Sequence, residues 1–217
     1  MFSKFIKFLK SIFNSVNESI KSDTKPVATT PVKPIETVKP VETVKPVSGI
    51  TEDIIRDMVV GELLKYVGAK EKGTNTDKGG IIDTIILTMG GKLGWAWCAM
   101  TVCYCVAQTC KKLGISYPKG LYKGASSQSL KNETDKKYIF KTAKRGRAFV
   151  HTNAGDPAHG HTGLDLEDSD SKGLFDTVEG NSDNMIKQRA DRSLSYAPVH
   201  VDVALAIWDQ YKLEKKV

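Results

Sequence analysis

The sequence predicts an α+β fold in which helices come first and antiparallel strands follow. Apolar residues recur at steps of three and four between residues 54 and 113, the period of helices packed on a core. From residue 138 onward the apolar segments are short and bounded by turn residues, as strands are. Helices followed by strands are typical of an α+β domain with an antiparallel sheet. A chain of 217 residues accommodates one such domain and an appendage.

Residues 1–20 predict a basic amphipathic helix. Lys4, Lys7 and Lys10 take one side of it and interrupt the apolar core that a secretion signal needs. Such a helix lies on an anionic membrane surface, docks on a partner or packs on its own domain, and the pattern leaves these three interpretations open. The apolar residues that recur along the other side are Phe2, Phe5, Ile6, Leu9, Phe13, Val16 and Ile20.

Residues 21–49 predict a linker. They contain five of the eight prolines, and residues 32–47 repeat the unit Val-Lys-Pro-(Ile/Val)-Glu-Thr. A proline at every sixth position prevents a helix and favours extended chain. The linker therefore separates the first helix from a globular domain predicted over residues 50–217.

Three helices are predicted at the start of that domain. Thr51 is a candidate N-cap for the first helix, and Gly68 is expected to end it. After a polar glycine-rich loop at 69–80, residues 81–89 predict a short helix. The third helix covers residues 97–113 and stops at Gly114.

The apolar stripe of the third helix separates its cysteines. Cys103 and Cys110 lie on the stripe and are predicted core residues, whereas Cys105 lies off it. Cys98 also lies off the stripe, at the N-terminal end, where the helix dipole favours a thiolate. The spacing Cys-x4-Cys-x-Cys-x4-Cys on one helix excludes disulfides within the helix and does not match a zinc site.

Five strands are predicted in the second half of the domain. The last of them rests on the alternation of apolar residues from Val199 to Ile207. The other four are short apolar segments at residues 138–140, 147–150, 162–166 and 174–178.

The net charge of +7 is spread over the chain rather than concentrated in one run. A positive surface favours anionic partners such as anionic lipids or envelope polymers. Aromatic residues do not alternate with the basic residues as in a nucleic-acid platform, so the sequence argues against nucleic acid as a partner.

Two distant motifs supply candidate partners for Cys98. His161 lies between Gly160 and Gly163, a placement that leaves the imidazole approachable. Glu179 and Asn181 follow a predicted strand, and either an acid or an amide oxygen can orient an imidazole and stabilise its charge. A cysteine, a histidine and an acid or amide that only the fold brings together are typical of a nucleophilic thiol. No cofactor or metal is expected for that chemistry.

Two segments carry oxygen-bearing side chains that could bind a cation. The segment from Asp168 to Glu179 fits calcium-loop spacing at several positions, but Lys172 occupies a ligand position and the flanks predict strands. A solvated hairpin turn is therefore preferred. Asn75 and Asp77 supply only two oxygens in the glycine-rich loop, too few for a site.

Together these residues resemble the CHAP family, the cysteine- and histidine-dependent amidohydrolases and peptidases of the papain-like superfamily. The resemblance covers roughly residues 55–208, and it is closest to the versions found in phage and prophage lysins. It rests on the order and spacing of four segments, which are Lys-Glu-Lys-Gly-x-Asn at 70–75, Trp-Cys-Ala at 97–99, Gly-His-x-Gly at 160–163 and Val-Glu-Gly-Asn at 178–181.

The resemblance implies a papain-like fold and a peptidoglycan hydrolase. Cys98 is implied as the nucleophile, His161 as the general base, Glu179 as the orienting residue and Asn181 as an auxiliary polar group. The substrate would be an amide bond of bacterial peptidoglycan, either N-acetylmuramoyl–L-alanine or a peptide bond. Such a protein would wait in the host cytoplasm or in a virion and act at the bacterial cell wall.

One alternative is a non-enzymatic phage structural or envelope-docking protein on a degenerate hydrolase fold. It draws on the unusual N-terminal helix and on Asp165 and Glu167 in a strand that is usually apolar in the family. Trp95 and Trp97 are expected either to wall a substrate groove or to lie in the core.

Overall fold

The computed structural model describes residues 49–217. The helix predicted over residues 1–20 and all but the last residue of the predicted linker lie outside the described residues. Among the described helices, none is long and apolar enough to cross a membrane.

The described domain is mixed helix and antiparallel sheet, so the α+β prediction is confirmed. Residues 49–217 form five α-helices and six strands. A single 3₁₀ turn, Lys136–Tyr138, precedes the first strand. The helices are α1 (Glu52–Leu64), α2 (Ile81–Thr88), α3 (Cys98–Leu113), α4 (Ser127–Asn132) and α5 (Val203–Lys215). The strands are β1 (Ile139–Phe140), β2 (Ala148–Asn153), β3 (Asp156–Asp165), β4 (Leu174–Glu179), β5 (Lys187–Ser193) and β6 (Val199–Val201).

The helix ends mostly follow the chemistry expected from the sequence, but α1 ends at Leu64 with Lys65 as its C-cap, so the prediction that Gly68 ends it is wrong. The Thr51 side chain accepts a hydrogen bond from the backbone N–H of Ile54 and caps α1. Gly114 ends α3 in the left-handed conformation that glycine adopts at least cost. Asp202 caps α5 through the N–H of Leu205, and its other oxygen pairs with Arg56 on α1 and Arg147 before β2.

Helix α3 is the centre of the domain. It packs against the other four described helices and against β3. Because the helix is surrounded, Thr101 and Cys105, which lie off the predicted stripe, are buried together with Cys103 and Cys110. A single apolar stripe therefore underestimates how much of this helix is buried.

The six strands form one antiparallel sheet in the order β1-β6-β2-β3-β4-β5. Alternate residues of β2 belong to different apolar clusters, since Ala148 and Val150 lie in the main core and Phe149 lies in a second cluster with Phe175. The main core lies between the sheet and the helices. The second cluster is completed by residues that follow β5.

Several predicted elements differ from the structure. The alternating segment 199–207 is a strand only as far as Val201, because the Asp202 cap starts α5 and buries residues at helical spacing from Val203 onward. The strand predicted at residues 162–166 is longer in the structure, since β3 begins at Asp156. Helix α4 and strand β5 were not predicted, because α4 is one and a half turns long and β5 is mostly polar.

Candidate active site

Cys98 is the first residue of α3, the helix end where backbone N–H groups remain unpaired. The preceding residue, Trp97, gives the helix no side-chain cap. The cysteine is 6% exposed, at the boundary between core and surface. The thiol therefore combines a helix N-terminus with limited access from solvent.

The two tryptophans before Cys98 have different environments. Trp97 is fully buried, and its indole N–H donates to Glu71 Oε1 at 2.9 Å. The other oxygen of Glu71 accepts from the backbone N–H of Asn75 at 2.8 Å. Trp95 is 46% exposed. Trp97 thus ties the glycine-rich loop to the residue before the thiol, and only Trp95 is available to a ligand.

His161 on β3 is hydrogen-bonded to Glu179 and interacts electrostatically with Cys98. Its Nε2 lies 3.0 Å from Glu179 Oε2, which leaves Nδ1 as the ring nitrogen available to the thiol. Burial alone would lower the pKa of His161, but the interactions with Cys98 and Glu179 raise it to about 9. At neutral pH the imidazole is therefore held in its protonated form.

Glu179 lies at the end of β4 and is completely buried. Four donors converge on its two oxygens. Thr177 Oγ1 and Arg192 Nε reach Oε1 at 2.7 and 2.8 Å, while Arg192 Nη2 and His161 Nε2 reach Oε2 at 2.9 and 3.0 Å. Burial alone would raise the pKa of Glu179, but the hydrogen bonds from His161 and Arg192 hold it well below its usual range. Only an ionised carboxylate accepts all four bonds, so the orienting group is an acid rather than an amide.

Asn181 takes no part in that chain of hydrogen bonds. Its backbone is in the left-handed region, with φ of 57°, and its side-chain amide donates to Asn75 Oδ1 at 3.4 Å. Asn75 in turn donates to the carbonyl of Gly94 at 3.0 Å. Asn181 therefore connects the end of β4 to the loops beside Cys98.

The glycines in the motifs allow the strands to approach one another. A Cβ on Gly163 would lie 2.7 Å from the carbonyl oxygen of Val178 and 2.8 Å from Glu179 Cγ. A Cβ on Gly180 would collide with Thr101 and Trp97. Both residues must be glycine for Glu179 to sit against β3 and the start of α3.

Arg192 and Tyr196 are parts of the site that the sequence did not reveal. The guanidinium of Arg192 holds Glu179 and lies 4.4 Å from the centre of the Tyr196 ring. Burial raises the pKa of Tyr196, and the same hydroxyl interacts electrostatically with Arg192, Glu179 and Cys98. Arg192 lies in β5, whose polar sequence has no apolar alternation, so no local pattern singles it out.

The other three cysteines are buried along α3, and none of the four forms a disulfide. Burial raises the pKa of Cys103, Cys105 and Cys110, in the last case to about 12. A raised pKa keeps these thiols neutral and unreactive. Cys98 is therefore the cysteine of this helix with an imidazole beside it.

The segments weighed as cation sites have other roles. Asp170 accepts from the backbone N–H groups of Lys172 and Leu174 and shapes the turn between β3 and β4, as the preferred hairpin interpretation predicts. Asp77 accepts from the N–H groups of Gly80 and Ile82 and holds the start of α2. Within residues 49–217 no three His, Cys, Asp or Glu side chains are grouped to hold a metal ion.

Comparison of the chain with protein-family models, with curated proteins and with solved structures finds no match. The site combines a thiol at a helix N-terminus, an imidazole beside that thiol and a buried carboxylate bound to the second nitrogen of the imidazole. Such a set of groups can generate a nucleophilic thiolate.

Proposed function

We propose that the chain is a cysteine-dependent peptidoglycan hydrolase with a papain-like catalytic domain of the CHAP type. The observation that carries the proposal is the convergence of three separate segments. Cys98 begins α3, His161 lies on β3 and Glu179 ends β4, and His161 interacts with Cys98 and is hydrogen-bonded to Glu179. Chance burial does not explain why the donors and acceptors match along the whole set of contacts, including the Arg192 contacts that keep Glu179 ionised.

The proposed reaction is acyl transfer through a thioester. At neutral pH His161 already holds the proton taken from Cys98 on Nδ1, and the thiolate sulfur attacks the carbonyl carbon of the amide. The oxyanion that forms is stabilised at the N-terminus of α3, where the N–H of Cys98 points outward. The imidazolium gives its proton to the nitrogen of the breaking C–N bond, and the amine leaves. Water, deprotonated by His161, then hydrolyses the thioester and restores the thiol.

Glu179 supports both proton transfers without exchanging a proton itself. Its carboxylate fixes a proton on Nε2, which leaves Nδ1 free to face the thiol. It also stabilises the imidazolium once the ring is charged, consistent with the raised pKa of His161. No cofactor enters this sequence of steps.

The substrate class comes from the family resemblance of the motifs. The proposed bond is an amide of bacterial peptidoglycan, either N-acetylmuramoyl–L-alanine or a peptide bond of the stem or cross-bridge. The net charge of +7 suits an anionic envelope, and residues 1–20 are proposed to bind an anionic membrane surface. Nucleic acid is not a proposed partner. Before acting at the cell wall, the protein would reside in the host cytoplasm or in a virion.

Lysis of purified cell walls tests the proposal directly. Cys98→Ala and Cys98→Ser should fold like the parent and lose turbidity-clearing activity. The matched control is Cys110→Ala, a buried cysteine three turns further along the same helix, which should keep activity in the folded fraction. Clearing by the Cys98 variants at the parental rate would exclude the mechanism.

A further inference from the structure

A second histidine lies directly beside the first. His151 on β2 is paired with His161 on β3 in the antiparallel register. Directly opposed residues of antiparallel strands point to the same face, with Cβ atoms about 4.5–5.5 Å apart. The imidazole of His151, which is half-buried, is therefore a neighbour of the proposed general base.

The hydrogen bond of His151 decides which of its nitrogens is available. Nδ1 lies 2.7 Å from the backbone carbonyl oxygen of Tyr196. Because a carbonyl only accepts, Nδ1 carries the proton and the neutral ring has a free lone pair on Nε2. Within residues 49–217, Nε2 has no hydrogen-bond partner. His151 thus presents a fixed acceptor without a protein donor.

The ring is also held in place. It stacks on the Tyr196 ring at 4.1 Å between centres and an angle of 4° between planes. The backbone carbonyl of His151 accepts from Gln128 Nε2 at 3.0 Å. Tyr196 also contacts Arg192, the residue that holds Glu179. The side chains that orient His151 and Glu179 therefore pack against each other. An acceptor fixed in this way loses little conformational freedom when it binds a donor.

We propose that His151 is a substrate-binding residue that accepts an N–H hydrogen bond from the leaving-group half of the substrate. This inference rests on the proposed hydrolase function. His161 must protonate the departing amine, so the half of the substrate that leaves passes beside His161 and its neighbour across the strands. Peptide and acetamido groups supply N–H donors there, and Nε2 of His151 is the matching acceptor. The role is binding rather than proton transfer.

Two substitutions separate binding from structure. His151→Asn can keep a donor for the Tyr196 carbonyl but removes the acceptor at the Nε2 position. His151→Gln reaches further and can place an amide oxygen near that position. We expect His151→Asn to raise KM and lower kcat/KM by about three- to tenfold, the value of one hydrogen bond, with kcat within about twofold of the parent. His151→Gln should recover most of the loss.

The assay uses soluble peptidoglycan fragments over a range of concentrations, together with the rate at which iodoacetamide alkylates Cys98. His159→Asn is the matched control, because His159 is exposed and its partner is Asp156 rather than a residue of the site. Unchanged kcat/KM in His151→Asn would overturn the inference. Equal losses in both variants, accompanied by a lower melting temperature, would assign a structural role instead and also overturn it.

Alkylation separates failure of this inference from failure of the proposed function. Cys98 in His151→Asn should react with iodoacetamide at the parental rate, since His161 and Glu179 are untouched. A slower reaction in proportion to the lost kcat/KM would place His151 in the activation of the thiol and overturn the binding role. A parent protein that cleaves no peptidoglycan would refute the proposed function, and this inference with it.

Discussion

Replacing Glu179 by Gln tests whether the site needs a carboxylate or only an oxygen. The two side chains have the same shape, but the amide has one acceptor where the carboxylate has two. Arg192 donates to both oxygens of Glu179, so either way of seating the amide points its NH₂ group at one Arg192 N–H. The amide therefore fits the donors badly, and the charge that stabilises His161 is gone.

The expected loss follows from the two contributions of Glu179. An opposite charge beside a buried imidazole raises its pKa, so removing that charge lowers it. The pKa of His161 should therefore fall from about 9 towards its ordinary value of 6.5. General acid–base catalysis contributes about 10²–10⁴-fold to the rate, and an imidazole that is uncharged or wrongly oriented loses that contribution. We therefore expect Glu179→Gln to reduce kcat/KM by two to four orders of magnitude.

The assay is the pH dependence of kcat/KM on soluble peptidoglycan fragments, with circular dichroism to confirm folding. The double variant Glu179→Gln, Arg192→Met is the informative control. Without the guanidinium, the amide oxygen can turn to His161, so this variant should be more active than Glu179→Gln although Arg192 is missing. Activity of Glu179→Gln within threefold of the parent, or an unchanged alkaline limit, would refute the reasoning.

Three further predictions follow from the structure. In the parent, kcat/KM should decline as the pH rises through about 9, where His161 loses the proton needed by the leaving amine. Chemical denaturation should show that the free energy of unfolding falls between pH 6.5 and 9. The raised pKa of His161 stabilises the folded state fully below pH 6.5, and this contribution is lost above about pH 9. Gly180→Ala should lower the melting temperature by roughly 3–10 °C and reduce activity, since the new methyl group meets Thr101 and Trp97; a thermal melt unchanged within 1 °C would contradict the packing. Asp202→Ala should lower the free energy of unfolding in urea by about 3–5 kcal/mol, because it leaves Arg56 and Arg147 without their shared buried carboxylate. Asp209→Ala removes a partly exposed carboxylate that pairs with two exposed lysines, and it should cost only about 1 kcal/mol.

The helical half of the domain was predictable because its signals are local. Caps and stops such as Thr51 and Gly114 act within one turn, so the start of α1 and the bounds of α2 and α3 follow closely from the sequence. The end of α1 does not, because the helix stops at Leu64 and not at Gly68. The segment 199–207 was predicted wrongly because its local pattern conflicts with the tertiary fold. Its apolar residues alternate, yet the cap at Asp202 and the burial of Ala206 and Ile207 decide for a helix, and both depend on the tertiary fold.

The sequence was enough to predict the three principal residues of the site but not Arg192, which holds Glu179 in place. Cys98, His161 and Glu179 stand in short motifs whose glycines are required by close packing, and these motifs could be read one by one. Arg192 lies 13 residues from Glu179 in a strand without apolar alternation, and only the pairing of β4 with β5 brings the two together. The choice between an acid and an amide beside His161 also needed the structure, because it depends on the number of donors around that position.

The most direct test of the account is the site-resolved rate of alkylation of the native protein by iodoacetamide. Because burial raises the pKa of Cys103, Cys105 and Cys110, we expect Cys98 to react at least about a hundredfold faster than each of them at pH 7. His161→Ala should remove most of that advantage. Slow labelling of all four cysteines at similar rates, unaffected by His161→Ala, would contradict the claim that Cys98 is an activated nucleophile and would favour a docking protein on a degenerate hydrolase fold.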